Sequence, residues 1–176
     1  MITWLGGREP GIGRGRVAEN DPRIQAGPVE FQGNGDSLKG YLSRPTGPGP
    51  HPAVLVIHEN RGLLPHFSDV TRRLAVEGYA ALAIDMLSRE EGTGTFSSAD
   101  AARDALRETA RDQIVGDADA GVAYLQAQDF VRRERVGVMG FCFGGSITWC
   151  WPSAIRRYGR RFPSTAAHRL WKKCPI

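Results

Sequence analysis

Apolar and polar positions are arranged in three ways along this chain, and the switches between them predict its elements. Val29-Glu-Phe31 and Leu38-Lys-Gly-Tyr-Leu42 flank the turn Gly33-Asn-Gly35-Asp36, the pattern of an antiparallel hairpin. Ala53-Val-Leu-Val-Ile57 and Tyr79-Ala-Ala-Leu-Ala-Ile84 are instead unbroken apolar runs of strand length, as expected of strands buried on both faces. Between them Phe67, Val70 and Leu74 recur at helical spacing from Pro65 to Glu77, and Gly78 supplies the stop. Residues 53–84 therefore read as a strand–helix–strand unit with parallel pairing. From Ser97 the pattern turns helical again. Ala101, Ala105 and Leu106 precede a stretch with Ile114, Ala118, Val122 and Leu125 on one face, which leads into a strand at Val136. Strands alternating with helices predict an α/β fold, a mostly parallel, doubly wound sheet that carries an N-terminal antiparallel hairpin. Residues 1–28 are rich in Gly, Pro and charge, show no period, and read as an irregular arm.

Composition narrows the classes. With 176 residues, 41% hydrophobic and 24% charged, the chain is long enough for one domain with a substantial core. No apolar run is long enough to span a membrane, and Met1-Ile-Thr-Trp-Leu-Gly-Gly lacks the form of a secretory signal, so the cytoplasm is the expected compartment. Cys142, Cys150 and Cys174 are odd in number and form no metal-ligand or redox pair, so neither a metal nor another cofactor is expected. The net charge of +4 is uneven. Residues 150–176 hold seven basic side chains and no acid, which leaves 16 basic against 19 acidic residues in the first 149. The basicity belongs to the tail, and nucleic acid is not an expected partner.

The chemistry-bearing segment is Val136-Gly-Val-Met-Gly140-Phe-Cys142-Phe-Gly144-Gly145, which sets a thiol at the middle of a Gly-x-Cys-x-Gly turn after a short apolar strand. This is the form of a nucleophile elbow with sulfur in place of the serine oxygen. Glycines relieve the crowding of a sharp strand-to-helix turn, and the N-terminus of the following helix favours thiolate over thiol. A lone cysteine is also a good small hydrophobe, so a buried packing role is the competing reading. The strand ending at Ile57 delivers His58-Glu59-Asn60 to the same edge of such a sheet. There the Glu59 carboxylate could accept the thiol's proton, and the backbone N–H groups of Asn60 and Phe143 could form a two-donor oxyanion hole. The competing reading of Glu59 is a surface carboxylate capping the next helix.

His58-Glu59-Asn60-Arg61-Gly62, Tyr79-Ala-Ala-Leu-Ala-Ile-Asp85 and Gly140-Phe-Cys142-Phe-Gly-Gly145 together resemble the dienelactone hydrolase family of the α/β-hydrolase superfamily, over residues 29–149. The resemblance implies a carboxylic ester hydrolase of the carboxymethylenebutenolidase kind, acting on a small carboxylate-bearing lactone or ester. It implies Cys142 as nucleophile, Glu59 as the carboxylate that helps to generate the thiolate, and Asn60 and Phe143 as oxyanion donors. It also implies Arg89, in Asp85-Met-Leu-Ser-Arg89-Glu-Glu, as the grip on the substrate carboxylate, which a guanidinium can hold in bidentate fashion. An exposed loop charge is the other reading of Arg89.

The sequence departs from that family downstream. In this fold an acid and then a histidine follow the nucleophile along the chain. Here no Asp or Glu follows Glu134, and His168 is the one later histidine, in Ala166-Ala-His168-Arg-Leu-Trp without a glycine-rich setting. Residues 150–176 carry neither strand alternation nor a sustained helical face. The expectation is a partial α/β-hydrolase domain over 29–149, followed by an aberrant basic tail at 150–176 that arises from truncation or a shifted reading frame. Two consequences are expected: acylation of the thiol without efficient turnover, and an exposed sheet edge open to self-association. A non-catalytic remnant that binds a ligand or partner is the alternative.

Overall fold

The computed structural model describes residues 15–33 and 35–151, apart from the side chain of Cys150. Strands β1 (Ile24–Gln32) and β2 (Ser37–Pro45) form the expected hairpin, closed by the Gly33 N–H donating to the Asp36 carbonyl at 2.8 Å. Then follow β3 (His51–Ile57), α1 (Pro65–Val76), β4 (Ala80–Ile84), α2 (Ala99–Glu108), α3 (Arg111–Ala127), β5 (Val131–Gly140) and α4 (Phe143–Cys150). The sheet order is β1-β2-β4-β3-β5. β3 lies at the centre of a parallel trio with β4 and β5, while β2 joins the far side of β4 antiparallel. Half of the strand pairings are thus parallel, and they are the half that carries the site.

The unbroken apolar runs are explained by helices on both sheet faces. Period-two geometry sends Leu55 and Ile57 of β3, with Leu82 and Ile84 of β4, into one core cluster beside Leu106, Ile114, Val122 and Leu125 of α2 and α3. Val56 and Ala83 point the other way and pack with Phe67 of α1. A strand covered on both sides has no face on which a polar residue is tolerated.

Two boundaries differ from expectation. β1 reaches back to Ile24, into the segment read as an irregular arm, because Ile24 pairs with Pro45 and Gln25 with Arg44. Gly27 and Pro28 disguise it as a loop, yet proline is tolerated on an edge strand, where its missing N–H interrupts no ladder. β5 starts at Val131 rather than Val136. Val131 pairs with His51 and Val136 with Ala53, and the mismatch is absorbed by the exposed run Arg132–Arg135. Among the described residues β5 is an edge strand; its Met139 and the α4 residue Trp149 are exposed. No helix among the described residues is long and apolar enough to cross a membrane. The basic tail lies outside the described residues beyond Trp151.

Candidate active site

β3 and β5 run parallel in register, with Ile57 opposite Gly140, so the loops that leave their C-terminal ends emerge side by side. The loop after β5 turns sharply. Cys142 is exposed, stands at the N-cap of α4, and has φ 50° and ψ −107°, a conformation that costs a side-chain-bearing residue about 1–3 kcal/mol. Backbone packing enforces it. A methyl group on Gly140 would be driven into the Gly144 carbonyl, and one on Gly144 would sit 2.7 Å from the His58 oxygen and closer still to that of Ile57. The Phe141 N–H donates to Ile57 O at 3.1 Å, and the Gly144 N–H to His58 O at 3.2 Å and Phe141 O at 2.9 Å, tying the turn to the end of β3. The buried-hydrophobe reading of Cys142 does not describe this thiol.

The loop after β3 is held by side chains instead. His58 is fully buried; its Nδ1 lies 2.6 Å from the Glu59 carbonyl, and its Nε2 accepts the Met86 N–H at 3.0 Å. That pair of bonds assigns the proton to Nδ1 and makes the ring neutral. Burial is the main force pushing its pKa below the usual imidazole value, against the opposing pull of the Glu59 carbonyl and of Asp85 at 3.8 Å. Asp85 accepts from the Leu87 N–H at 3.0 Å, the Thr93 N–H at 2.7 Å and the Thr93 hydroxyl at 2.8 Å. Thr93 Oγ1 in turn accepts the Leu63 N–H at 2.7 Å. His58, Asp85 and Thr93 thus fasten both ends of the segment that carries Glu59 and Asn60. Gly62, at φ 86° and pressed against Thr93, lets that segment turn.

Asn60, Cys142 and Phe143 meet on the wall of one cavity of about 510 Å³. Ser146 of α4 joins them, Leu106 and Ile114 supply an apolar side, and Thr109, Arg103, Arg107 and Arg111 complete it. Neither the Asn60 nor the Phe143 N–H has an acceptor among the described residues. Glu59 is half-buried beside Asn60 but does not itself line the cavity. It caps no helix, since α1 begins at Pro65 with Leu64 at the N-cap and no side-chain cap.

Arg89 is placed otherwise than expected. Its Nη2 and Nε grip the two oxygens of Asp117 at 2.8 and 3.3 Å, and its Nη1 is paired with Asp36. The Asp117 hydrogen bond raises its already high pKa further. Arg89 does not line the cavity of Cys142; it is bound in bidentate fashion to a buried carboxylate of α3 and ties the β1–β2 turn to that helix. The sequence reading missed the arginines that do line the cavity. The signal was present as Arg103, Arg107 and Arg111, spaced by four.

A nucleophile candidate at the carboxyl edge of a parallel sheet, on a strained strand-to-helix turn, defines the α/β-hydrolase class. Residues 38–161 match the dienelactone hydrolase family, and the chain belongs to that family. A candidate carboxymethylenebutenolidase of Synechocystis is 40% identical over 117 residues, 64% of this chain and 47% of that protein. One from Escherichia coli K12 is 35% identical over 153 residues, 82% of this chain and 56% of that one. The solved structure of a candidate dienelactone hydrolase from Klebsiella pneumoniae superposes with a TM-score of 0.66 at 30% identity, covering 73% of this chain and 54% of that one. The chain spans about half the length of the curated relatives it matches. The family match runs on to residue 161, past the boundary expected near residue 149.

Proposed function

We propose that this chain carries the acyl-accepting machinery of a small-ester or lactone hydrolase. Cys142 Sγ attacks the substrate carbonyl, its proton passes to Glu59, and the Asn60 and Phe143 N–H groups stabilise the oxyanion that forms. Collapse of that intermediate breaks the acyl C–O bond, the departing alkoxide takes the proton back from Glu59 and becomes the free alcohol of an ester or the tethered hydroxyl of an opened lactone, and a thioester remains on Cys142. The observation that carries this reading is the exposed Cys142 at positive φ, sharing a cavity wall with Asn60 and Phe143. The expected behaviour is a burst of one acyl group per chain as Cys142 is acylated.

Stopped-flow hydrolysis of a p-nitrophenyl ester, with intact-mass detection of the acylated protein, tests it. The label falls on Cys142, disappears in Cys142→Ala, and forms about a hundredfold more slowly in Glu59→Gln, the usual scale of general-base catalysis. Labelling elsewhere, or none with ligand binding retained, overturns the nucleophile and favours a binding module. We also propose that β5, an edge among the described residues, mediates self-association. Concentration-dependent mass in light scattering, abolished by Val138→Lys, is the expected result, and a concentration-independent monomer refutes it.

A further inference from the structure

The segment 85–93, which follows β4, lines no part of the cavity, yet it is bonded to the loop that does. On its inner flank the Met86 N–H donates to His58 Nε2 at 3.0 Å, and Thr93 Oγ1 accepts the Leu63 N–H at 2.7 Å. Glu59 and Asn60 lie between those two bonds. The segment is closed on itself, since the Asp85 carboxylate accepts the Leu87 N–H at 3.0 Å and the Thr93 N–H and hydroxyl at 2.7 and 2.8 Å, and the Gly92 N–H donates to the Leu87 carbonyl at 2.9 Å. It therefore moves as a unit. On the outer flank Ser88 Oγ accepts the Lys39 N–H of β2 at 2.8 Å, while Arg89 reaches across to α3 with a two-point fork on Asp117, Nη2 to Oδ1 at 2.8 Å and Nε to Oδ2 at 3.3 Å. Arg89 is 19% exposed and Asp117 4%, so water and salt screen the pair little. Asp117 stands one turn after Ile114, and Ile114 and Arg111 of α3 line the cavity. The fork thus links a helix that forms part of the cavity wall to the segment that holds the Asn60 loop.

We propose that Arg89 and Asp117 are positioning residues for acyl transfer: their fork fixes segment 85–93 against α3 and, through His58 and Thr93, sets the Asn60 amide with respect to Cys142. This rests on the acyl-transfer reading for Cys142 and gives Arg89 a part in it without contact to substrate. A guanidinium suits that part, because a planar fork on a carboxylate resists rotation as well as separation, which a single ammonium does not.

Removing one partner alone would strand the other, so the probe is the paired variant Arg89→Gln/Asp117→Asn, which takes away both charges and leaves groups that can still hydrogen-bond. The ester is p-nitrophenyl valerate, which offers an arginine no carboxylate to grip. Acylation of Cys142 slows about tenfold in the paired variant, a fraction of the roughly hundredfold lost with an oxyanion donor. Alkylation of Cys142 by iodoacetamide at about pH 10, where the thiol ionises unaided and no oxyanion forms, keeps its rate, because the turn after β5 is bonded to the end of β3. Ser43→Ala, which breaks the buried Ser43–Thr71 hydrogen bond between β2 and α1, leaves both rates in place. Unchanged acylation in the paired variant, acylation and alkylation slowed together, or equal slowing in Ser43→Ala overturns the positioning role while Cys142 stays the nucleophile. Amide exchange separates the two readings: the Leu63 and Met86 N–H groups exchange faster in the paired variant, and that of Gly144 does not. If the unaltered chain does not acylate Cys142, the nucleophile reading fails and takes the catalytic consequence with it. Faster exchange at Leu63 and Met86 then still upholds the hold of the fork on the Asn60 loop, and unchanged exchange rejects it.

Discussion

The two loops that meet at the cavity are built on opposite principles. The loop after β3 is stitched by side chains: His58 to Met86, Asp85 to Thr93, Thr93 to Leu63. The loop after β5 is held chiefly by main chain, with Gly140 and Gly144 packed against neighbouring carbonyls and Cys142 forced to positive φ, while the Phe141 ring rests on Phe67. The first can be loosened one hydrogen bond at a time. The second has almost no intermediate state, because backbone atoms in contact cannot move aside as a side chain can. For the proposed reading, in which Cys142 is a nucleophile that must not move and the Asn60 loop must meet it, each device stands where it is needed.

The largest expected effect comes from breaking the main-chain side of that contrast. Gly144→Ala places a methyl against the Ile57 and His58 carbonyls and should cost about 3 kcal/mol or more, at the upper end of overpacking penalties. Denaturant midpoints measure it, and a loss below about 1 kcal/mol would mean the turn can relax. On the side-chain side, Thr93→Val leaves the Leu63 N–H without an acceptor and takes one of two donors from Asp85 Oδ1, for about 2 kcal/mol, and slows the acyl burst through Asn60. Thr93 is a positioning residue, so Thr93→Ser should restore the burst; failure of that rescue would point to packing instead.

Cys142→Gly sharpens the comparison in the other direction. It relieves the positive-φ conformation, abolishes acylation and raises stability by about 1 kcal/mol, and a destabilised variant would show that the turn is not strained. The smallest effect is electrostatic. His58 is neutral in the fold with a depressed pKa, so the unfolded chain binds its proton first as pH falls below the ordinary value of 6.5. Stability therefore declines on the acid side of 6.5 and is unaffected by this group above it, with a loss of about 1 kcal/mol or less at pH 6. Thermal midpoints between pH 7.5 and pH 6 should fall less steeply in His58→Asn, which can still bond the Met86 N–H; equal slopes would clear His58 of the effect.

Much of the arrangement was legible in the residues. Burial on both faces leaves an uninterrupted apolar run, which marked β3 and β4. The turn that carries Cys142 was visible because steric demand reaches the sequence directly: only glycine fits at 140 and 144. Those constraints are local or nearly so, and local constraints are written in residue type and spacing. The role of Arg89 was not legible. Whether a guanidinium meets a ligand or a carboxylate depends on what α3 brings opposite it, and Asp117, 28 positions away, made that choice. The same holds for Arg103 and Arg107, whose spacing promised only a helical face until the fold set them on the cavity that Cys142 also lines. By itself the sequence determined the strands, the glycine-bounded turn and the thiol on it. Tertiary structure decided which charges surround that thiol, because electrostatic partners are chosen by distance in space, and distance along the chain carries almost no information about it.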